Sequence, residues 1–300
     1  SLLLRIGMRL SEVAPDLAKQ TVADAVTIGV MSQPEDICLL RHDGSGKNAF
    51  KNPLSFRYLD DNFIESDAVK IGKTFMDYLK KTKDPRIHVY CSLKDGNTEF
   101  DKQFGLPNGY DSHTIADAPS GSFVGLENTS NFNINTILRL DAPTIFLMPS
   151  ETKLLLAEAV LRNWTNGNAE VLYKEAITSS MKEQEIAYGT QGKITDEEIE
   201  TYLAQNLLST ANNTEKLQII GEQYWVATFI NGYESYANWR RTGYPKLIPT
   251  NYSGSMSPGV IPTRLPYPTD EYSINRANVD TANQQQGADK VTTHIWWDID

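Results

Sequence analysis

Cysteine is almost missing from this chain: Cys38 and Cys91 are the only two in 300 residues. Neither stands in a C-x-x-C or other metal-type spacing, which removes a zinc ribbon, a redox pair and a disulfide framework as organising principles. Two buried free thiols are expected rather than a Cys38–Cys91 bridge. Histidine is scarce as well. His42, His88, His113 and His294 are far apart and build no HExxH or HxH spacing, so a zinc enzyme has no local support. Lysine and arginine (28) are outnumbered by aspartate and glutamate (38), for a formal net charge of −10. That balance speaks against a nucleic-acid binder and against adsorption to anionic membranes, both of which rest on clustered cations. No apolar run reaches the ~18 residues that span a bilayer, and no signal peptide is present. GxGxxG, GxxxxGK[ST] and GxSxG are all missing, so neither a nucleotide loop nor a nucleophile elbow is supported.

What is present is a large apolar fraction, 40%, enough for a substantial core in one large domain or two modest ones. The chain opens on Leu2-Leu3-Leu4-Arg5-Ile6-Gly7-Met8-Arg9-Leu10 without an initiator Met or a cap. This opening reads as mid-helix and points to a fragment whose N-terminal part, with any targeting signal, lies outside the sequence. Leu3, Ile6, Leu10 and Val13 keep helical spacing. Pro15 breaks that helix and starts another, from Leu17 to about Val30. The pair spans residues 1–33, close to the ~34-residue tetratricopeptide period. A second pair follows at 150–183. Ser150 is the expected cap of Glu151 to Leu161, Asn163 to Gly167 the turn, and Asn168 to Met181 the second helix. A third block covers 195–240. Thr195 and Glu198 suggest a capping box for a helix to about Leu208, and Asn213 or Thr214 caps another that is expected to run beyond Gly232 toward Trp239. The segments 41–65 and 84–145 are rich in Gly, Asn, Asp, Ser and Pro, and between them only Asp67 to Lys81 looks helical. Residues 243–300 also read as loops. The expected fold is therefore all-α: one domain over 1–300, with tetratricopeptide-like helical pairs and long irregular segments that form the ligand-binding part.

Candidate chemistry is sparse. Asp95-Gly96-Asn97-Thr98-Glu99-Phe100-Asp101 alternates oxygen ligands like a calcium loop, but glycine is second rather than sixth and Leu106 stands where the closing Glu belongs. The expectation is a hydrophilic turn, no cofactor and no metal, with structural calcium bound elsewhere left open. Glu151 with Glu158, and Glu175 with Glu183, are spaced along helix faces in the manner of a glycosidase pair; among 38 acidic residues such spacings arise by chance. The aromatics remain. Sugar rings stack their C–H faces on aromatic side chains while amides bond the hydroxyls. The loop residues Phe56, Tyr58, Tyr90, Asn108, Tyr110 and Phe123 carry that mixture, and they are the expected ligand contacts. Taken singly, each such aromatic more often pins a loop to the core; taken as a group they can form one ligand cradle.

The densest stretch is Gly232-Tyr233-Glu234-Ser235-Tyr236-Ala237-Asn238-Trp239-Arg240-Arg241-Thr242-Gly243-Tyr244-Pro245. Phe146 to Glu151 with Ala157-Glu158-Ala159 resembles the "sE…LLxAEA" helix of the SusD/RagB family. Tyr173 to Met181 is similar to its following "YxxaIxaSM" helix. Gln223-Tyr224-Trp225, the dense stretch itself, and Arg264-Leu265-Pro266-Tyr267-Pro268 with Glu271 and Asn275 extend the resemblance in order. Asp84-Pro85-Arg86 and Gly105 to Gly109 resemble connectors of the same family. The resemblance implies a surface-exposed outer-membrane lipoprotein of Bacteroidetes that binds glycans such as starch, or peptides. It implies a partner, a SusC-like TonB-dependent transporter, and no catalysis. Glu151, Glu158, Trp239, Arg240, Arg241, Arg264 and Tyr267 are then structural signature residues rather than ligand contacts. A peptide-binding helical-repeat module and, further off, a glycoside hydrolase are the competing readings.

Overall fold

The structure, a computed structural model, describes residues 1–60, 70–208, 212–252 and 254–298. The start of the helix expected from Asp67 and the end of the 41–65 segment lie outside the described residues. The fold is all-α with two minor sheets. Helices α1 (Leu2–Arg9) and α2 (Pro15–Ile28) form the first hairpin. Helices α6 (Pro149–Leu161) and α7 (Ala169–Tyr188) form the second. Helices α8 (Asp196–Gln205), α9 (Asn213–Ala227) and α10 (Gly232–Thr242) complete the helical body.

Helix α6 is apolar or small on nearly every side and is accordingly central. Leu154, Leu155, Ala157 and Ala159 are all buried, and the helix packs against α1, α7 and α9. Each fully buried leucine contributes roughly 1.5–3 kcal/mol. Small residues on α7, among them Ala176, Ser179 and Ser180, let the helices approach closely.

Several boundaries differ from the sequence reading. Ser150 does not cap α6. Pro149 takes the first helical position, and Ser150 instead gives its N–H (2.8 Å) and hydroxyl (2.6 Å) to Glu183 on α7. The Thr195–Glu198 capping box forms, and Asn212 with Glu215 builds a second one a residue ahead of the expected cap. α9 does not run on to Trp239: Asn231 accepts from Glu234 N–H and starts α10 as a separate helix.

The loop-rich segments carry more order than composition suggests. Helix α3 (Pro53–Asp60) interrupts the first, with Asn52 Oδ1 capping Leu54 and Ser55. Helix α4 (Lys73–Thr82) is followed by the short α5 (Ile87–Tyr90). Strand β1 (Cys38–Leu40) pairs antiparallel with β4 (Thr144–Leu147), and β2 (Cys91–Ser92) with β3 (Asn131–Phe132). The C-terminal region is not all loop: α11 (Thr269–Ile274) and α12 (Arg276–Gln286) occupy its polar stretch. Of the two cysteines only Cys91 is buried; Cys38, on an edge strand, is an exposed free thiol, and the two are unpaired.

Buried ion pairs bind the helical body together. Arg241 at the end of α10 grips Glu158 of α6 through two bonds of 2.6 and 2.7 Å, and Arg162 adds a third at 2.8 Å. Burial pushes the Glu158 carboxyl upward, yet the two guanidiniums outweigh it and hold it below the usual range. Arg86, wholly buried, pairs with Asp84 at 2.6 Å and also reaches Ser180 and Gln223. Arg5 of α1 binds Glu151 of α6 at 2.5 Å. Arg240 lies over the rings of Tyr236 (4.3 Å) and Trp297 (4.6 Å), and Trp239 stacks against Tyr236. Arg264 joins Asp289 at 2.7 Å with its guanidinium over Tyr267.

Candidate functional site

Two adjoining clefts share the loop 106–111. The first, of about 440 Å³, has Phe75 of α4 and Trp225 of α9 as its floor. Asn108 stands on one wall, and residues from the 247–250 and 255–262 stretches form the other. The second, of about 470 Å³, is lined by Tyr110, Asp111, Phe123 and Glu127.

The shared loop is held from below by backbone pairing. Leu106 N–H donates to Ile71 at 2.7 Å, Lys73 N–H donates to Leu106 at 2.8 Å, and Ser130 N–H to Phe104 at 2.8 Å. Gly105 is required there, because a Cβ would stand 2.4 Å from Lys73 Cα. Asp111 organises the far end. Its Oδ1 accepts from the N–H groups of His113 and Thr114, and its Oδ2 accepts from the Tyr252 hydroxyl at 2.5 Å. The Tyr252 bond, followed by the backbone bonds, lowers the Asp111 carboxyl to about 2.

Chemically the first cleft is uncharged. Its floor is aromatic, the Trp225 and Phe75 rings meeting edge to face at 4.9 Å, and its rim offers an amide and hydroxyls from Asn108, Thr74, Thr250, Ser255 and Ser257. Such a surface suits a neutral, hydroxylated ligand and gives an ionic one nothing to pair with. Among the described residues no group of three or more His, Cys, Asp or Glu side chains could hold a metal ion. The Asp95–Asp101 turn directs its oxygens at itself: Asp95 accepts from Asn97 N–H and Asn97 from Glu99 N–H. A larger groove of about 640 Å³ lies elsewhere, between β4 and the start of α10. Its amides, Asn52 and Asn231, are engaged in capping, so it is mainly an apolar surface.

The structure brings Asn108, Tyr110 and Phe123 together around these clefts and leaves the other expected contacts outside. Tyr90 is corrected outright: it is 1% exposed and its hydroxyl donates to Val226, so it faces the core rather than a ligand. Tyr58 packs toward Phe132 with ring centres 6.3 Å apart, and Phe56 sits near Lys51 on α3; neither lines either cleft. Tyr58 and Tyr90 belong to an aromatic chain through Phe132, Phe229 and Phe75 that surfaces at Trp225. Sequence reasoning missed Trp225, which helical periodicity assigns to the core, and the entire 247–262 wall. The cluster of Pro249, Thr250, Tyr252, Ser255 and Ser257 is the signal that could have marked that wall.

Glu151, Glu158 and Glu183 are all buried in polar contacts within the helical body, and Glu175 is half exposed beside Lys153. None of the four lines the two clefts.

The model of the SusD-like family, described as "Susd and RagB outer membrane lipoprotein", matches residues 1–298. The chain belongs to the SusD/RagB family. No curated protein matches it. Among solved structures, a chitin-binding protein superposes on the whole chain with a TM-score of 0.79 and 29% identity; the chain spans 63% of that protein. A SusD-like protein of Bacteroidetes AC2a superposes with a TM-score of 0.82 and 25% identity, 68% of its length being covered. A chitin-binding SusD homolog from Flavobacterium johnsoniae gives 0.77 and 25% identity, with 62% covered. The whole of this SusD-like chain is thus accounted for by a part of each relative. Among its described residues no helix is long and apolar enough to cross a membrane.

Proposed function

We propose that this SusD-like chain binds a neutral glycan in the clefts flanking residues 106–111. On this reading it presents the glycan at the cell surface to a SusC-like TonB-dependent transporter of the outer membrane, and it catalyses nothing. The observation that carries the reading is the first cleft: an indole and a phenyl floor, an amide and hydroxyl rim, and no charged lining residue. Two of the similar solved structures, one of them a SusD homolog, are chitin-binding by name, which makes chito-oligosaccharides the first ligands to try. Binding would combine ring stacking with hydrogen bonds, each weak alone.

The test is calorimetric titration against a panel of chito-, malto- and xylo-oligosaccharides and an unrelated peptide set. Saturable binding of a glycan, with no sugar released on long incubation, is the expected result. Peptide binding without glycan binding would transfer the site to the helical-repeat reading, and released sugar would revive the hydrolase.

A further inference from the structure

The first cleft has one rigid side and one tethered side. Its floor and the Asn108 wall are built on α4, α9 and the backbone pairing of Leu106. The opposite wall comes from residues 247–261, whose described residues form no helix or strand. Within this wall the hydrogen bonds stay local: Gly259 N–H donates to Thr250, Val260 N–H to Ser257 and Ser255 N–H to Tyr252. The wall's outer end is fixed, since Pro262 accepts from the Tyr236 hydroxyl and Thr263 N–H donates to Val291. From its middle the Tyr252 hydroxyl donates to Asp111 at 2.5 Å, while Ser257 is packed inward.

Beside that bond the two walls touch. A Cβ on Gly109 would stand 2.9 Å from Thr250 Cβ, and Gly109 has a φ of +87°, a conformation that glycine adopts without strain. The Asp111 carboxylate is itself immobilised by the turn it caps, so the phenol meets a fixed acceptor. A hydrogen bond to an ionised acceptor is short and stronger than a neutral one.

We infer that Tyr252 and Asp111 form a clasp that sets the separation of the two walls, and thereby the width of the cleft a ligand enters. Both are positioning residues. The clasp rests on the reading of the cleft as a glycan site only for its effect on affinity; its effect on the wall stands alone. Opening the clasp frees the middle of residues 247–261 while the floor rings of Phe75 and Trp225 stay in place.

Tyr252→Phe keeps the ring and removes the donor, and Asp111→Asn keeps the shape and removes the charge. Amide exchange of the free protein, followed by mass spectrometry, is expected to quicken about fivefold in residues 247–261 of either variant and to stay unchanged in α6 and α9. The double variant is expected to exchange no faster than the single ones, because the same charge-assisted bond is lost in all three. Calorimetry with chitohexaose is run on the same proteins. Faster exchange with weaker chitohexaose binding is the expected pair of results. Unchanged exchange in both single variants overturns the clasp whatever the affinity. Faster exchange with unaltered affinity keeps the clasp and removes the cleft as the glycan site. Weaker affinity with unchanged exchange makes Tyr252 a direct ligand contact and overturns the clasp.

Discussion

The helical body and the cleft loops treat polar side chains in opposite ways. In the body, polar groups are buried and matched across helices: Glu158 to Arg241, Asp84 to Arg86, Glu183 to Ser150. At the first cleft they stand at the rim above an aromatic floor, as Asn108 and Thr74 do. A buried polar group without its partner costs stability, whereas one on an exposed rim is solvated when the cleft is empty. The body therefore tolerates little change in its polar residues, and the loops can change theirs without unfolding the protein. The signature residues Glu151, Glu158 and Arg241 accordingly sit in the body and line neither cleft, whereas Trp225 and Asn108, which also fall in family-like stretches, line the first.

The comparison breaks most visibly at Arg241. Replacing it with alanine leaves the buried Glu158 with Arg162 as its one guanidinium partner among the described residues, and the expected cost is about 3 kcal/mol of unfolding free energy in a denaturant titration. A loss below about 1 kcal/mol would show that the pair is incidental to the fold. The opposite behaviour is expected of Tyr110→Ala and Asn108→Ala. Stability should move by no more than about 0.5 kcal/mol, while glycan affinity in calorimetry falls at least about tenfold.

Glu183 sharpens the comparison through pH. Burial raises its carboxyl to about 7, against the Ser150 bonds that favour the charged form. The folded state then holds a proton that the unfolded chain releases near the ordinary carboxyl value. Stability contributed by this group is full below about pH 4.5 and declines as pH rises toward 7. Thermal melts of Glu183→Gln should lack this component, so the difference between variant and native melting temperature widens in the variant's favour from pH 5 to 7.5. A constant difference across that range would remove Glu183 as the source. The smallest effect concerns the thiols. Cys38 should react with a chromogenic disulfide within minutes, and Cys91 only on unfolding, because burial pushes its thiol up and excludes the reagent. Equal rates at both positions would contradict the packing of β2.

The helices and the Thr195 cap were legible because periodicity and capping residues are local signals, whereas Ser150, expected as a cap, turns to Glu183. Leu154 to Ala159 in α6 and the Thr195–Glu198 box needed no partner to be read. The break between α9 and α10 was harder, since Asn231 is one polar residue in an otherwise continuous apolar pattern. The site was legible only in part. Asn108, Tyr110 and Phe123 lie close in sequence, and their loop is marked by glycine and proline. Tyr90 and Tyr58 have the same composition around them, but the ring of Phe229, well over a hundred residues away in sequence, draws this part of the chain into the core. Trp225 shows the reverse: its helical spacing predicts burial, and yet its indole lines the cleft together with Leu247 to Thr250 and Val260 to Pro262.

The division of labour between body and loops is tested most directly by one titration: the tightest-binding glycan of the panel against an Asn108→Ala/Tyr110→Ala double variant whose melting temperature matches that of the native protein. Affinity reduced at least about tenfold at unchanged stability is the predicted result. Native affinity in that variant would contradict the account and move the site away from the 106–111 loop.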